Sequence, residues 1–313
     1  TAPGGGVIST NTVTNMLGPA MGTTNTSNFG QLLTNSGNTL PQNGLQNVGT
    51  LHPEPYASFM TVALEQSDLR RNMVLSNANG RATGNGRIDG VATDGRNVWF
   101  DVGVTDGTVD ADGGLAGFDY DLNQFIVGAD LWSDTQSRAG AYLGYGTFSM
   151  NEHTVSGDTL DFSSSAFTLG AYAVMDMQNW SFSGMAGAAW GNTDASRDAI
   201  IGTSSNRHTA DYDHRTFEVA LRAEYTALPT RGGWHFAPEI GLGYAYYEQD
   251  GFTEDGDSGT ALAVDDATAD SLIGSLGVNV TGPTFGGGLV PIGFLRYEHD
   301  FLASSDGTHD IDA

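Results

Sequence analysis

The chain has no cysteine, so neither a disulfide framework nor a thiolate metal site exists. Proline is scarce at 9 residues, and 12 Lys and Arg stand against 37 Asp and Glu. The resulting net charge of −25 argues against nucleic acid as a partner, because phosphate contacts need cations. No run approaches the ~18 consecutive apolar residues of a membrane helix. A membrane β-barrel stays open, since its signal per strand is weak. Residues 1–51 carry no charged side chain and are rich in Asn, Thr, Gly and Ser. Such a stretch buries little apolar surface and reads as a polar linker, with the last turns of a stacked β-structure as a second reading.

What is present is alternation. Phe217, Val219, Leu221, Ala223 and Tyr225 are apolar, and Glu218, Arg222 and Glu224 lie between them. Successive strand side chains point to opposite faces, so one face is apolar and the other ionised. Trp180, Phe182, Gly184, Ala186, Ala188 and Trp190 likewise share one side, as do Trp234, Phe236, Ile240, Leu242, Tyr244 and Tyr246, with Glu239 opposite. Leu295 and Tyr297 oppose Arg296, Glu298 and Asp300. Trp180 and Trp190 are ten residues apart, about 33 Å along a strand, or roughly 23–25 Å of height at the tilt of a barrel strand. That is the thickness of an apolar band with an aromatic girdle at each rim, formed here by Trp180, Trp190, Trp234 and Tyr246. The pattern therefore predicts a transmembrane antiparallel β-barrel, apolar side to lipid and charged side to a wet lumen. A soluble sandwich with exposed charges is the alternative.

About nine strands are visible, at roughly 97–105, 114–132, 137–150, 158–175, 178–194, 207–227, 233–248, 268–281 and 288–302. Short turns on one side and long acidic loops such as 250–266 on the other fit a barrel. Residues 77–96 read as a turn region. From Pro53 to about Val74 the spacing of Tyr56, Phe59, Met60, Ala63 and Leu64 predicts one helix, with Arg70 and Arg71 near its C-terminal end. It is too polar for lipid and could span a membrane only inside a lumen. There Asp68, Arg70 and Arg71 would meet a network of Glu218, Arg222, Glu224, Glu239, Arg296 and Glu298.

Several stretches in this order resemble the autotransporter β-domain, the translocator of type V secretion, over roughly residues 52–302. They are the helix, Asn97-Val98-Trp99-Phe100, Gly117-Phe118-Asp119-Tyr120-Asp121, Val127-Gly128-Ala129-Asp130, Asp250-Gly251-Phe252-Thr253-Glu254-Asp255-Gly256, Ala269-Asp270-Ser271-Leu272, and Arg296-Tyr297-Glu298-His299-Asp300-Phe301. The resemblance implies a 12-stranded barrel plugged by an N-terminal helix, downstream of a secreted passenger. With nine strands visible, the expectation is that about three strands are missing beyond residue 313. The domain reading is 1–51 polar linker or passenger remnant, 52–80 lumen-plugging helix and turn, and 97–313 barrel. Some members cut themselves at an asparagine in the helix; Asn72, Asn77 and Asn79 are the candidates here, and none is singled out.

Little else points to chemistry. Gly256-Asp257-Ser258-Gly259 and Gly157-Asp158-Thr159-Leu160 are weak echoes of serine-hydrolase loops without partner segments. The histidines, His153, His208 and His214 among them, lack metal-ligand spacing and read as loop or strand-end residues. Asp106, Asp110 and Asp112 lack the calcium-loop spacing. No catalytic, cofactor or metal residue is expected. The expected function is a Gram-negative outer-membrane translocator that exports or anchors an upstream passenger, with loops at the cell surface. Its expected partners are outer-membrane lipid and lipopolysaccharide, the barrel-assembly machinery and the passenger. The alternatives are a structural or adhesive barrel binding through acidic loops and, third, an outer-membrane hydrolase.

Overall fold

Period-two patterning over long stretches dictates strands, and hairpin turns between them dictate antiparallel pairing. The computed structural model describes residues 54–79, 87–91, 97–110, 117–154, 157–201, 204–256, 259–285 and 290–302. The stretch 1–51 lies outside them. Among the described residues one helix, α1 (Glu54–Ala78), precedes the strands β1 (Arg87–Val91), β2 (Asn97–Val109), β3 (Gly117–Ser133), β4 (Ser137–Thr154), β5 (Gly157–Met177), β6 (Trp180–Ile201) and β7 (Ser204–Tyr225). Then come β8 (His235–Gln249), β9 (Phe252–Thr253), β10 (Ala263–Val264), β11 (Ala267–Thr281) and β12 (Ile292–Asp300). Ten strands form one antiparallel sheet in the order β1-β2-β3-β4-β5-β6-β7-β8-β11-β12, while β9 and β10 form a separate hairpin. The sheet curls around α1, which packs against β2 to β8 and β11.

The faces are inverted relative to a water-soluble sheet. Leu221 is 63% exposed, with Phe217 and Val219 also exposed, whereas Glu218 is 4% exposed and Arg222 and Glu224 are equally hidden. Trp180, Phe182, Trp190, Trp234, Phe236, Ile240 and Leu242 all face outward, and Tyr246 is half-buried. Trp132, just past a bulge in β3, joins the exposed aromatics. On the inside, large aromatics lie across glycines of the next strand. A Cβ on Gly170 would fall 2.3 Å from the Tyr142 ring, and one on Gly128 2.2 Å from Trp99. Only glycine admits these rings flat against the wall.

Three expectations need correction. The region 77–96 is not all turn: β1 lies within it and pairs residue by residue with β2, Arg87 opposite Asp101 and Val91 opposite Asn97. Among the described residues the sheet therefore has ten strands rather than nine. Five residues are too few to show a period from sequence, and the pairing supplies what propensity does not. Residues 195–201 and 204–206, which lie between the expected strands 178–194 and 207–227, belong to β6 and β7. β6 and β7 stay paired from Trp180 opposite Tyr225 to Ile201 opposite Ser204. Beyond Trp190 the outward residues become Asn192, Asp194, Ser196 and Asp198 while Thr193, Ala195, Arg197 and Ala199 stay buried. About 9–11 residues suffice to cross a bilayer, so these 22-residue strands carry a polar-walled extension past the apolar band. Finally, α1 runs on to Ala78, so Arg70 and Arg71 sit at mid-helix instead of its end. Asn77 permits this by donating to the Met73 carbonyl and to Asp101 on β2.

Two substitutions on the same outward face separate the zones. Leu221→Arg puts a charge mid-band at a cost of about 2–4 kcal/mol and should abolish the compact, heat-modifiable electrophoretic form of protein refolded into vesicles. Asp194→Arg, on the polar extension, should leave that form intact. Equal loss in both would refute the face assignment.

Candidate functional site

The bore is filled in three tiers along α1. At its N-terminal end Tyr56, Phe59, Met60 and Leu64 pack with Phe148, Phe162, Tyr212 and Tyr247. Phe59 stacks on Phe148 and Phe162 with ring centroids 4.6 and 4.7 Å apart. At the C-terminal end Met73, Val74, Leu75 and Ala78 pack with Trp99, Ile126, Tyr142 and Tyr172. Between these apolar seals lies a polar belt. Three- and four-residue spacing gathers its helical members into two patches, Ser67 with Arg70 and Asp68 with Arg71 and Asn72.

On one side of the belt Arg70 grips Glu218 of β7. Its Nε donates to Oε1 at 2.7 Å and its Nη2 to Oε2 at 3.0 Å. Ser67 donates to the same carboxylate at 2.6 Å and Tyr142 of β4 at 3.3 Å. Both members of the pair are almost wholly hidden. On the other side Asn72 is a hub. Its Oδ1 accepts from Arg222 and from Arg296, each at 2.8 Å, and its amide donates to Asp68 at 3.0 Å. Arg296 also donates to Glu239 at 2.7 Å, and Asn279 donates to both Glu239 and Glu224 at 2.6 and 2.7 Å. Arg71 bonds Asp68 at 2.9 Å and lies over Gly243, whose missing side chain leaves the space. Glu298 stands 3.8 Å from Arg296.

All nine charged residues named from sequence thus face the bore, in two groups rather than one. The pattern did not expose Asn72 as the hub, nor Ser67, Tyr142 and Asn279, because neutral residues carry no charge alternation. Asn77 is committed to Asp101, and Asn79 donates to Ser183 at 3.0 Å. His208 and His214 are buried in β7 rather than set in loops. Their Nε2 atoms lie 2.8 Å from Thr260 Oγ1 and 2.9 Å from Ser164 Oγ. Asp106 faces outward beside its partner Asp121, and Asp112, Asp257 and Ser258 lie outside the described residues. Among the described residues no group of three or more His, Asp or Glu could hold a metal ion.

The acidic stretch 250–266 is not an open loop. Its β9–β10 hairpin folds over the N-terminal end of α1, where Phe252 stacks on Tyr212 at 4.5 Å and meets Tyr56 at 4.9 Å. Glu254 is the anchor. It accepts from Arg197 Nε, from Tyr56 Oη and from the Leu262 amide, each at 2.8 Å. Burial alone would raise its pKa, but Arg197, Leu262 and Tyr56 together hold it below the ordinary value of 4.5. A depressed carboxylate stabilises the closed hairpin fully above that ordinary value and loses the contribution as pH falls through the lower folded one. Hydrogen-exchange protection of the Leu262 amide should therefore be flat from neutrality to about pH 4.5 and then fall. Glu254→Gln should lower the plateau and flatten the profile. Undiminished wild-type protection at pH 3 would contradict this.

The arrangement is a curled sheet, apolar outward, that holds a charged helix by contacts to its inner wall. Among the described residues no helix is long and apolar enough to cross a membrane. No functionally curated protein matches the chain in sequence. The fold is similar to that of the translocator domain of the autotransporter NalP from Neisseria meningitidis, with a TM-score of 0.61, 19% identity and coverage of 78% of each chain. A further likeness is to the β-domain of the Bordetella autotransporter BrkA, at a TM-score of 0.47 and 18% identity over 66% of this chain and 79% of that one. A family model described as the autotransporter beta-domain matches residues 98–311, more than half of the sequence, and the chain belongs to that family.

Proposed function

We propose that this chain is the outer-membrane translocator unit that passes an upstream segment through its bore and then retains α1 as the plug. The observation that carries the proposal is the position of α1. A helix with Asp68, Arg70, Arg71 and Asn72 at its middle is enclosed by a wall whose outer face suits hydrocarbon and whose inner face answers those charges. Its N-terminus lies at the end with the polar-walled extension, so a segment preceding Glu54 leaves the bore there. That end is assigned to the cell surface, with β9–β10 closing beside the exit. Lipid and lipopolysaccharide would surround the band and the extension, and the barrel-assembly machinery would insert the strands.

Closure belongs to the same proposal. Among the described residues β1 and β12 pair on one side only, and unpaired backbone groups facing lipid cost several kcal/mol each. Bacterial single-chain barrels have even strand numbers, and the twelve that the resemblance implies exceed the ten seen by two. Two further strands beside β12 would close the wall.

A small folded reporter fused ahead of residue 54 should be labelled by antibody on intact Gram-negative cells expressing the closed barrel. Its retention inside, with the barrel correctly inserted, would overturn the translocator reading. The plug is tested separately. Removing one member of a buried pair leaves the other uncompensated, at about 3–5 kcal/mol. Arg70→Ala or Glu218→Ala should therefore raise the open-channel population in planar bilayers by about 10²–10⁴-fold, while the double change to Met and Leu lies much nearer wild type. Wild-type conductance in both single variants would place the helix outside the conduction path.

A further inference from the structure

Where the apolar band ends on β5, β6 and β7, the outward face holds a cleft of about 540 Å³. Its apolar side is Tyr145, Phe167 and Trp190, and its polar side is Asp213, Arg215 and Asp250. Register explains the juxtaposition. Tyr145 lies opposite Phe167, Phe167 opposite Trp190, and Trp190 opposite Arg215, so three aromatics and one cation form a single cross-strand row. In the next row Ser165, Asn192 and Asp213 lie opposite one another. Trp190 is 49% exposed. Arg215 is about as open, with Nη2 3.1 Å from Asp250 Oδ1 and Nε 3.6 Å from Glu248 Oε2. A guanidinium has five N–H donors, so those contacts leave others to face the cleft.

Charge complementarity selects the occupant. A purely anionic head group would meet one guanidinium against three carboxylates, Asp213, Glu248 and Asp250, and a simple cation would leave the guanidinium and the aromatic row unused. A head group bearing both a phosphate and a primary ammonium uses everything present. The phosphate takes the Arg215 N–H groups, the ammonium takes Asp213 and Asp250 beside the Trp190 face, and the acyl chain lies on Phe167 and Tyr145. We propose that this cleft is a binding site for an acylated membrane lipid of the surface leaflet that carries a phosphoethanolamine group, with phosphatidylethanolamine as its probe. The site rests on the assignment of the outward face to lipid.

The test uses the full chain refolded into vesicles of phosphatidylethanolamine and phosphatidylglycerol, with bromine on the acyl chains of one lipid at a time. Quenching of Trp190 is obtained by difference from Trp190→Phe, and that of Trp180, at the opposite rim, from Trp180→Phe. Trp190 should be quenched at least about threefold more effectively by brominated phosphatidylethanolamine, the scale of one exposed ion pair plus one cation–π contact. Trp180 should be quenched by both lipids alike. Arg215→Gln and, independently, Asp250→Asn should each reduce the preference at Trp190 to about onefold while Trp180 is unchanged. Equal quenching of Trp190 by both lipids, a preference for phosphatidylglycerol, or a preference that survives both substitutions would overturn the site. Failure of either lipid to quench Trp180 would instead remove the lipid-facing assignment, and the site with it.

Discussion

A backbone facing hydrocarbon has no water to satisfy it, and that constraint organises this chain. Each N–H and C=O must find a partner on a neighbouring strand, so a ladder as unbroken as that between β6 and β7 is an energetic requirement. Once the ladder is fixed, pleating sorts side chains without further choice. Leu221 goes to the outer face because Glu218 and Arg222 go to the inner one. The charges gathered inside then need a partner of their own, and α1 supplies it.

The belt around α1 gives the helix a register rather than an indiscriminate grip. Buried ion pairs repay little net stability, since desolvation consumes most of the Coulomb gain. Their strength lies in the penalty for mismatch. Sliding α1 by one turn would carry Arg70 away from Glu218 and Asn72 away from Arg222 and Arg296, leaving charges buried and unanswered. The apolar tiers at each end, Phe59 against Phe148 and Met73 beside Trp99, tolerate small shifts. Adhesion and positioning are thus divided between different residues of one helix.

Much of this was legible because period two survives wherever a strand is long and one face is uniformly apolar. Phe217 to Tyr225 and Trp180 to Trp190 announce their faces, and charged residues between them announce the bore. Short or neutral features did not show. β1 offers Arg-Ile-Asp-Gly-Val, five residues with no readable period. Residues 195–201 and 204–206 carry Ser196, Asp198, Ser204, Ser205 and Asn206, which favour turns locally, and only the pairing of β6 with β7 makes them strand. Tyr56 and Glu254 are 198 residues apart, and nothing local signals that the acidic stretch folds back over the helix. Asn72, an uncharged residue among charges, gathers two arginines and a carboxylate that the alternation displayed separately.

The polar-walled lengths of β6 and β7 have a geometric corollary. The eleven residues that follow Trp190, up to Ile201, rise about 26–30 Å at ordinary strand tilt, about as much again as the apolar band itself. The N-terminal turn of α1, where Tyr56 meets Phe162 of β5 and Tyr212 of β7, therefore sits at the level of this extension rather than within the apolar band.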